Sequence, residues 1–163
     1  MSALVHTIPP VYDGNSRVLI LGSFPSVKSR ETMFFYGHPQ NRFWPLLAGL
    51  LGAPVPASVA EKKALLLARG VALWDVIARC EITGSSDSSI RNAAANDLGP
   101  ILSAAPIRAI FCNGQTAWTL YEKYLLPATG RQAQRLPSTS PANAGCSMER
   151  LAGEWRAILP FLD

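Results

Sequence analysis

The chain has 163 residues, of which 48% are hydrophobic and 16% are charged. This length allows a substantial buried core and favours one domain, which we expect to span residues 1–163. No apolar run is long enough to cross a membrane, and the first residues lack a signal-peptide pattern, so we expect a cytoplasmic protein. The net charge of +4 is compatible with a polyanionic partner, although many ordinary soluble proteins are equally basic.

The three cysteines, Cys80, Cys112 and Cys146, lie far apart and form no CxxC pair. This spacing indicates neither a disulfide framework nor a zinc or iron–sulfur site. We expect buried thiols in a reducing compartment.

Apolar runs that alternate with helical patterns are typical of a parallel sheet with helices on both faces. The predicted strands cover residues 17–21, 71–76, 107–112 and 132–136. The predicted fold is therefore α/β: a three-layer α/β/α sandwich around a central, mainly parallel four-stranded sheet.

The segments between these strands predict helices. Residues 43–51 carry Pro45 in the first turn, and residues 60–69 lie between a capping Ser58 and a terminating Gly70. Residues 90–104 also have a helical pattern, with a break expected at Gly99 and Pro100. Further helices are predicted over residues 116–125 and 147–159. Residues 84–89 form a polar loop that can contact a ligand or cap the helix expected from Ile90.

In a parallel sheet, the segments that follow the strands meet at one edge, where ligands bind. Hydroxyl groups in such loops can hold phosphates, and nearby cations add to this. The candidates are Ser26, Ser29, Ser138 and Ser140, with Lys28 and Arg42 as cations. Ser and Pro in loops more often form turns, so both interpretations stay open. Asn113 and Gly114 can start a helix or contact the nucleic-acid backbone, and we assign them to the start of a helix.

Residues 36–44 combine rigid backbone, aromatic faces and amides, a mixture suited to holding a planar base. Together with the turn 22–26 and the late segment 136–140, this block resembles the uracil-DNA glycosylase superfamily, and most closely its hypoxanthine (deoxyinosine) DNA glycosylase branch. The resemblance implies an enzyme that flips a deaminated base, hypoxanthine by preference, out of DNA. Water then hydrolyses the N-glycosidic bond and leaves an abasic site. It implies a monofunctional enzyme without metal or cofactor, acting as a monomer with no obligate protein partner.

The chain departs from the superfamily pattern where mismatch-type relatives carry a water-positioning Asn. Phe24 stands there and has no hydrogen-bonding group. The resemblance implies that Asn41 is the principal catalyst instead, with an amide oxygen that orients the attacking water. The alternative is that Asn41 only caps the helix starting near Phe43.

Four residues are candidates for binding the base. The resemblance implies that Tyr36 stacks on the flipped base, with a core aromatic as the alternative, and that Phe24 belongs to the same pocket. Asp75 stands where relatives carry an Asn, and its carboxylate can accept from the N1–H of hypoxanthine; a capping or ion-pairing Asp is the alternative. His38 either assists the leaving base or hydrogen-bonds its own loop.

Two other functions remain open. A uracil-preferring glycosylase shares the same motifs. A catalytically silent nucleic-acid-binding module is also possible, since Phe24 replaces one catalytic position and Leu136 stands where uracil enzymes carry His or Asn.

Overall fold

The computed structural model describes residues 3–6, 8–83, 86 and 89–162. In chain order the elements are β1 (Ala3–Val5), β2 (Val18–Gly22), α1 (Val27–Thr32), α2 (Phe43–Leu51), α3 (Val59–Arg69), β3 (Val71–Asp75), β4 (Ile77–Glu81), β5 (Arg91–Ala95), α4 (Gly99–Ala104), β6 (Ala109–Asn113), α5 (Gln115–Leu120), a π-helical turn (Tyr121–Leu125), α6 (Leu126–Thr129), β7 (Ala133–Leu136), a 3₁₀ turn (Pro141–Asn143), α7 (Met148–Trp155) and a final 3₁₀ helix (Arg156–Phe161).

The central sheet has four parallel strands in the order β3-β2-β6-β7. The middle strand β2 is buried along its whole length, and its side chains alternate between two cores. Val18 and Ile20 pack under α2, α3 and α7. Leu19 and Leu21 pack on the other face, against residues of α4, α5 and β4. The predicted strands and the three-layer α/β/α fold are confirmed.

The predicted start and end signals of the helix at residues 60–69 are confirmed. Ser58 and Glu61 form a capping box at the start of α3, and Gly70 ends the helix with a left-handed backbone at φ 77°. The short helix α1 was not predicted. It begins at an N-cap made by Ser26, whose hydroxyl accepts from the backbone N–H of Ser29.

The helix predicted over residues 90–104 is wrong in its first half. Residues Arg91–Ala95 form strand β5, which pairs antiparallel with β4, and β4 pairs on its other side with β1. The alanines of this segment favour a helix in isolation, but the free edge of β4 offers backbone partners that override the propensity. Asn96 closes the strand by donating from Nδ2 to the carbonyl oxygens of Asp75 and Ile77.

All three cysteines are buried and free. Burial, and secondarily the charge of Glu122, raises the pKa of Cys112 to about 12, so this thiol stays protonated at neutral pH. No helix among the described residues is both long enough and apolar enough to span a bilayer.

Candidate active site

A pocket of about 450 Å³ opens at the edge where the parallel strands end. Its volume lies in the range usual for small-molecule sites. The pocket brings together nine of the predicted site residues: Phe24, Ser26, Ser29, Tyr36, His38, Asn41, Asp75, Ser138 and Ser140. Of the polar loop 84–89, Ser86 also lines the pocket, whereas residues 84, 85, 87 and 88 lie outside the described residues.

One side of the pocket, the amide wall, consists of Asn41, Thr139 and Asn113. Oδ1 of Asn41 accepts two hydrogen bonds, from the backbone N–H of Phe43 at 2.9 Å and from the hydroxyl of Thr139 at 2.8 Å. Thr139 is fully buried, and Asn113 bonds it twice, accepting from its N–H and donating to its Oγ1, each at 3.0 Å. The capping-type bond to Phe43 is therefore present, and Asn41 also faces the pocket.

A second group of residues, the acid wall, consists of Asp75 and Gly22, which line the pocket, and of His6, which contacts Asp75. Asp75 is the last residue of β3 and is 3% exposed. Oδ2 of Asp75 lies 2.8 Å from Nε2 of His6, whose side chain is 1% exposed. With Asp75 ionised, Nε2–H is the donor, and Oδ1 is the carboxylate oxygen that this bond does not use.

His6 is enclosed by aromatic rings from three segments. Its ring centroid lies 6.0 Å from Phe24, 6.3 Å from Phe35 and 6.1 Å from Trp74. The backbone N–H of His6 donates to Ala78 in β4, which fixes the segment that follows β1. His6 is not among the site residues predicted from the sequence.

Gly22 lets the side chains of Asp75 and Tyr36 lie close to the backbone and to each other. A Cβ at this position would lie 2.3 Å from Oδ1 of Asp75 and 3.3 Å from the hydroxyl oxygen of Tyr36. The first distance is shorter than real Cβ contacts allow, so a side chain here would displace the carboxylate. The absence of a side chain at Gly22 therefore allows Asp75 and Tyr36 to occupy their positions.

Tyr36 forms the aromatic face of the pocket. One face of its ring stacks on Phe43, with centroids 4.2 Å apart and planes at 25°. Its backbone is left-handed at φ 53°, an unusual conformation for a bulky residue that is often found at functional sites. Tyr36 therefore packs on the core aromatic Phe43 and also lines the pocket, and its stacking on a base stays a prediction.

His38 hydrogen-bonds its own loop, as one of the two alternatives proposed. Its Nδ1 accepts from the backbone N–H of Gln40 at 3.1 Å. A ring with a lone pair on Nδ1 carries its proton on Nε2. A role for His38 with the leaving base stays a prediction.

The four predicted serines line the pocket and form hydrogen bonds within their own loops. The Ser26 and Ser29 hydroxyls are 3.1 Å apart, and Ser29, which is 2% exposed, also accepts from the N–H of Gly37 at 2.9 Å. Ser138 accepts from the N–H of Ser140, and Ser140 accepts from the N–H of Ala142. These bonds fix the loops and leave phosphate contacts as a prediction.

The two predicted cations differ in their surroundings. The Arg42 guanidinium donates to the carbonyl oxygens of Asn143, at 2.9 Å, and Cys146. It therefore ties the start of α2 to the loop after β7. Lys28 is about half exposed and lies 3.5 Å from an equally exposed Glu31, a weak surface pair that leaves the ammonium accessible.

Comparisons with known proteins show the family of this chain. Residues 9–158 match the sequence model of the uracil DNA glycosylase superfamily. The chain belongs to this superfamily. A hypoxanthine DNA glycosylase of Methanosarcina acetivorans is 38% identical over 152 residues, covering 92% of this chain and 94% of the relative. Another from Methanosarcina barkeri is 33% identical over 147 residues, covering 89% and 92%.

A solved relative has the same fold. The solution NMR structure of a Methanosarcina acetivorans protein, provisionally described as a uracil DNA glycosylase, superposes with a TM-score of 0.81 at 36% identity, covering 95% of this chain and 96% of the relative. The predicted resemblance to the superfamily is therefore confirmed. Phe24 and Leu136 are the two positions at which the sequence differs from the superfamily pattern. Phe24 lines the pocket, whereas Leu136 is a buried core residue of β7.

Two further pocket residues were missed by sequence reasoning. Asn113 was assigned to the start of a helix, and Gly114 does precede α5, but the Asn113 side chain holds Thr139 instead. Thr139 lay within a segment that was noted, yet only its serine neighbours were selected. The signal in the sequence was that Asn113 ends one strand and Thr139 follows the next, so both are expected at the same edge of the sheet.

Proposed function

We propose that this protein is a hypoxanthine DNA glycosylase that acts on deaminated bases in DNA as a monomer in the cytoplasm. The observation that carries the proposal is that Asn41, Asp75 and Tyr36 line one and the same pocket. The two relatives named as hypoxanthine DNA glycosylases support the choice of base.

Base selection is assigned to Asp75. A carboxylate oxygen accepts hydrogen bonds and cannot donate. Hypoxanthine presents N1–H to such a group, whereas adenine presents a lone pair at N1 that the negative charge repels. With Oδ2 bonded to His6, Oδ1 is the oxygen proposed to read N1–H. Guanine and uracil also carry such an N–H, so the shape of the pocket completes the selection.

The reaction is a hydrolysis at the anomeric carbon. As the bond from C1′ to N9 breaks, its electron pair leaves with the base, and the oxygen of a water forms the new bond to C1′. The water loses one proton and the departing base gains one, so the products are neutral hypoxanthine and an abasic site. Asn41 is proposed to hold the water, and Tyr36 to stack on the extruded base.

The direct test is base excision by the purified protein. Duplexes containing inosine, uracil, xanthine or only normal bases are incubated with the protein and then treated with alkali, which cleaves at abasic sites. We expect cleavage at inosine first. Preferred cleavage at uracil would favour the alternative substrate. The solved relative is provisionally described as a uracil DNA glycosylase, which is a reason to test this base. Tight binding without an abasic product would favour a silent binding module.

The catalytic assignment is tested by Asn41→Ala. Removing one preorganised polar contact to a transition state typically costs about 10²-fold or more in rate, so we expect a loss of this size on inosine duplexes. The change removes the acceptor of both the Phe43 N–H and the buried Thr139 hydroxyl, which together should cost about 2 kcal/mol of stability. This lowers the unfolding temperature by roughly 4–8 °C. Unchanged excision would remove Asn41 from the mechanism.

A further inference from the structure

We infer that Asn41 serves the reaction as a hydrogen-bond donor, through Nδ2, and that Thr139 and Asn113 are the positioning residues that impose this orientation. The inference rests on the proposed function, because it assigns an atom and a supporting chain of bonds to the same catalytic amide. It differs from an Asn whose oxygen accepts from the water.

Two backbone N–H groups determine the direction of every bond in this chain. The N–H of Thr139 can only donate, so the atom of Asn113 that it meets is Oδ1, and the other end of that amide is the donor Nδ2. This Nδ2 donates to Oγ1 of Thr139. The Thr139 hydroxyl is then left to donate its own proton to Asn41.

The second anchor is the N–H of Phe43, which also can only donate and meets Oδ1 of Asn41 at 2.9 Å. Rotating the Asn41 amide by 180° would point NH₂ at both this N–H and the Thr139 hydroxyl. Oδ1 therefore accepts two bonds, which use both of its lone-pair directions.

The remaining polar atom of Asn41 is Nδ2, and none of the described residues accepts a hydrogen bond from it. Asn41 is half-buried and lines the pocket. The group that this side chain offers to a bound molecule is therefore an N–H donor. It can hold the attacking water by its oxygen and leave that oxygen's second lone pair for C1′.

Substituting Asn41 by Asp separates donor from acceptor. The carboxylate keeps acceptors for Phe43 and Thr139 but has no N–H. We expect Asn41→Asp to lose about 10²-fold in single-turnover excision of inosine at saturating enzyme. An Asp that matches or exceeds the wild-type rate would overturn the inference, because a water-accepting role survives this change.

Substituting Asn113 by Asp tests the chain without touching Asn41. The new carboxylate draws the Thr139 hydroxyl proton to itself, so Oγ1 of Thr139 turns a lone pair toward Oδ1 of Asn41. We expect at least a tenfold slower single-turnover rate with little change in the amount of enzyme needed for saturation. Asn15→Asp, an exposed change remote from the pocket, is the matched control and should keep the wild-type rate.

Thr139 is tested by a pair of variants. Thr139→Val removes the hydroxyl and should slow excision about tenfold or more, whereas Thr139→Ser keeps the hydroxyl and should restore most of the rate. Thr119→Val, on the exposed face of α5, is the control for the change from Thr to Val. Equal rates for Thr139→Val and the wild type would contradict the positioning role.

A measurement without substrate keeps the inference separate from the proposed function. In ¹⁵N-labelled free protein, the Asn113 side-chain NH₂ should be protected from solvent exchange by its bond to Thr139, and the Asn41 NH₂ should exchange freely. An Asn41 NH₂ as protected as that of Asn113 would overturn the chain of bonds, whatever the activity. A wild-type protein that leaves inosine intact would instead overturn the proposed function, and the exchange result would still decide the orientation.

Discussion

The two walls of the pocket are held in place by different physical means. On the amide wall, neutral side chains form a chain of bonds that begins and ends at backbone N–H groups. On the acid wall, one carboxylate is held by one imidazole in an almost fully buried pair. Each bond of the first kind contributes modestly, whereas a buried charge without its partner costs several kcal/mol. We therefore expect changes on the amide wall to lower the reaction rate, and changes on the acid wall to affect stability or base choice.

The largest expected effect on stability comes from His6→Phe. The phenyl ring can fill the aromatic surroundings but leaves the buried Asp75 carboxylate without its donor, which typically costs about 3–5 kcal/mol. Thermal unfolding should then shift down by roughly 10 °C for a protein of this size. His38→Phe, which removes one bond within a loop, is the comparison and should shift the unfolding temperature by only a few degrees. An equally small shift for His6→Phe would mean that the acid wall does not depend on the pair.

A smaller effect, on base choice, is expected from Asp75→Asn. An amide at this position is neutral, so it does not repel the N1 lone pair of adenine. It can also present an NH₂ donor to the base, whereas the carboxylate presents only acceptors, such as the one for the N1–H of hypoxanthine. Good hydrogen-bond discrimination of one base from another is worth about 1–3 kcal/mol, or roughly 5- to 150-fold in relative rate. The measurement is the ratio of excision rates on inosine and on the other bases. An unchanged ratio would remove Asp75 from base selection.

The parts of this molecule that were predictable from sequence are those with a local physical signal. The buried strands show as short apolar runs, and Ser58 with Glu61 marks the start of α3 through a capping box. The edge of the parallel sheet then follows from topology, which assigns residues 22–26, Asp75 and residues 137–140 to one cleft. Asn41 and Tyr36 were assigned to the same pocket through the superfamily resemblance. The superfamily resemblance supplied their roles.

The parts that were missed depend on contacts between distant segments. Residues 91–95 are strand because β4 is beside them, and no pattern within the segment indicates this. His6 contacts the carboxylate of Asp75, 69 positions later, and Asn113 bonds Thr139, 26 positions later. Single polar residues of this kind carry no periodicity, and only the folded chain brings them to their partners.

The smallest expected effect concerns Lys28, which precedes the pocket-lining Ser29 in α1. Its ammonium is about half exposed beside Glu31, so Lys28→Ala should leave the unfolding temperature within a degree or two, because such surface pairs contribute at most about 1 kcal/mol. If the ammonium meets a DNA phosphate, affinity should fall uniformly across sequences, and the salt slope of log K should fall by about 1. Lys123→Ala, on the exposed part of the π-helical turn, is the matched control and should leave the slope unchanged. An identical slope for the two variants would mean that the phosphate contact lies at another residue. A reduced slope with an intact single-turnover rate would show that Lys28 contributes to DNA binding and that the chemical step depends on the two walls.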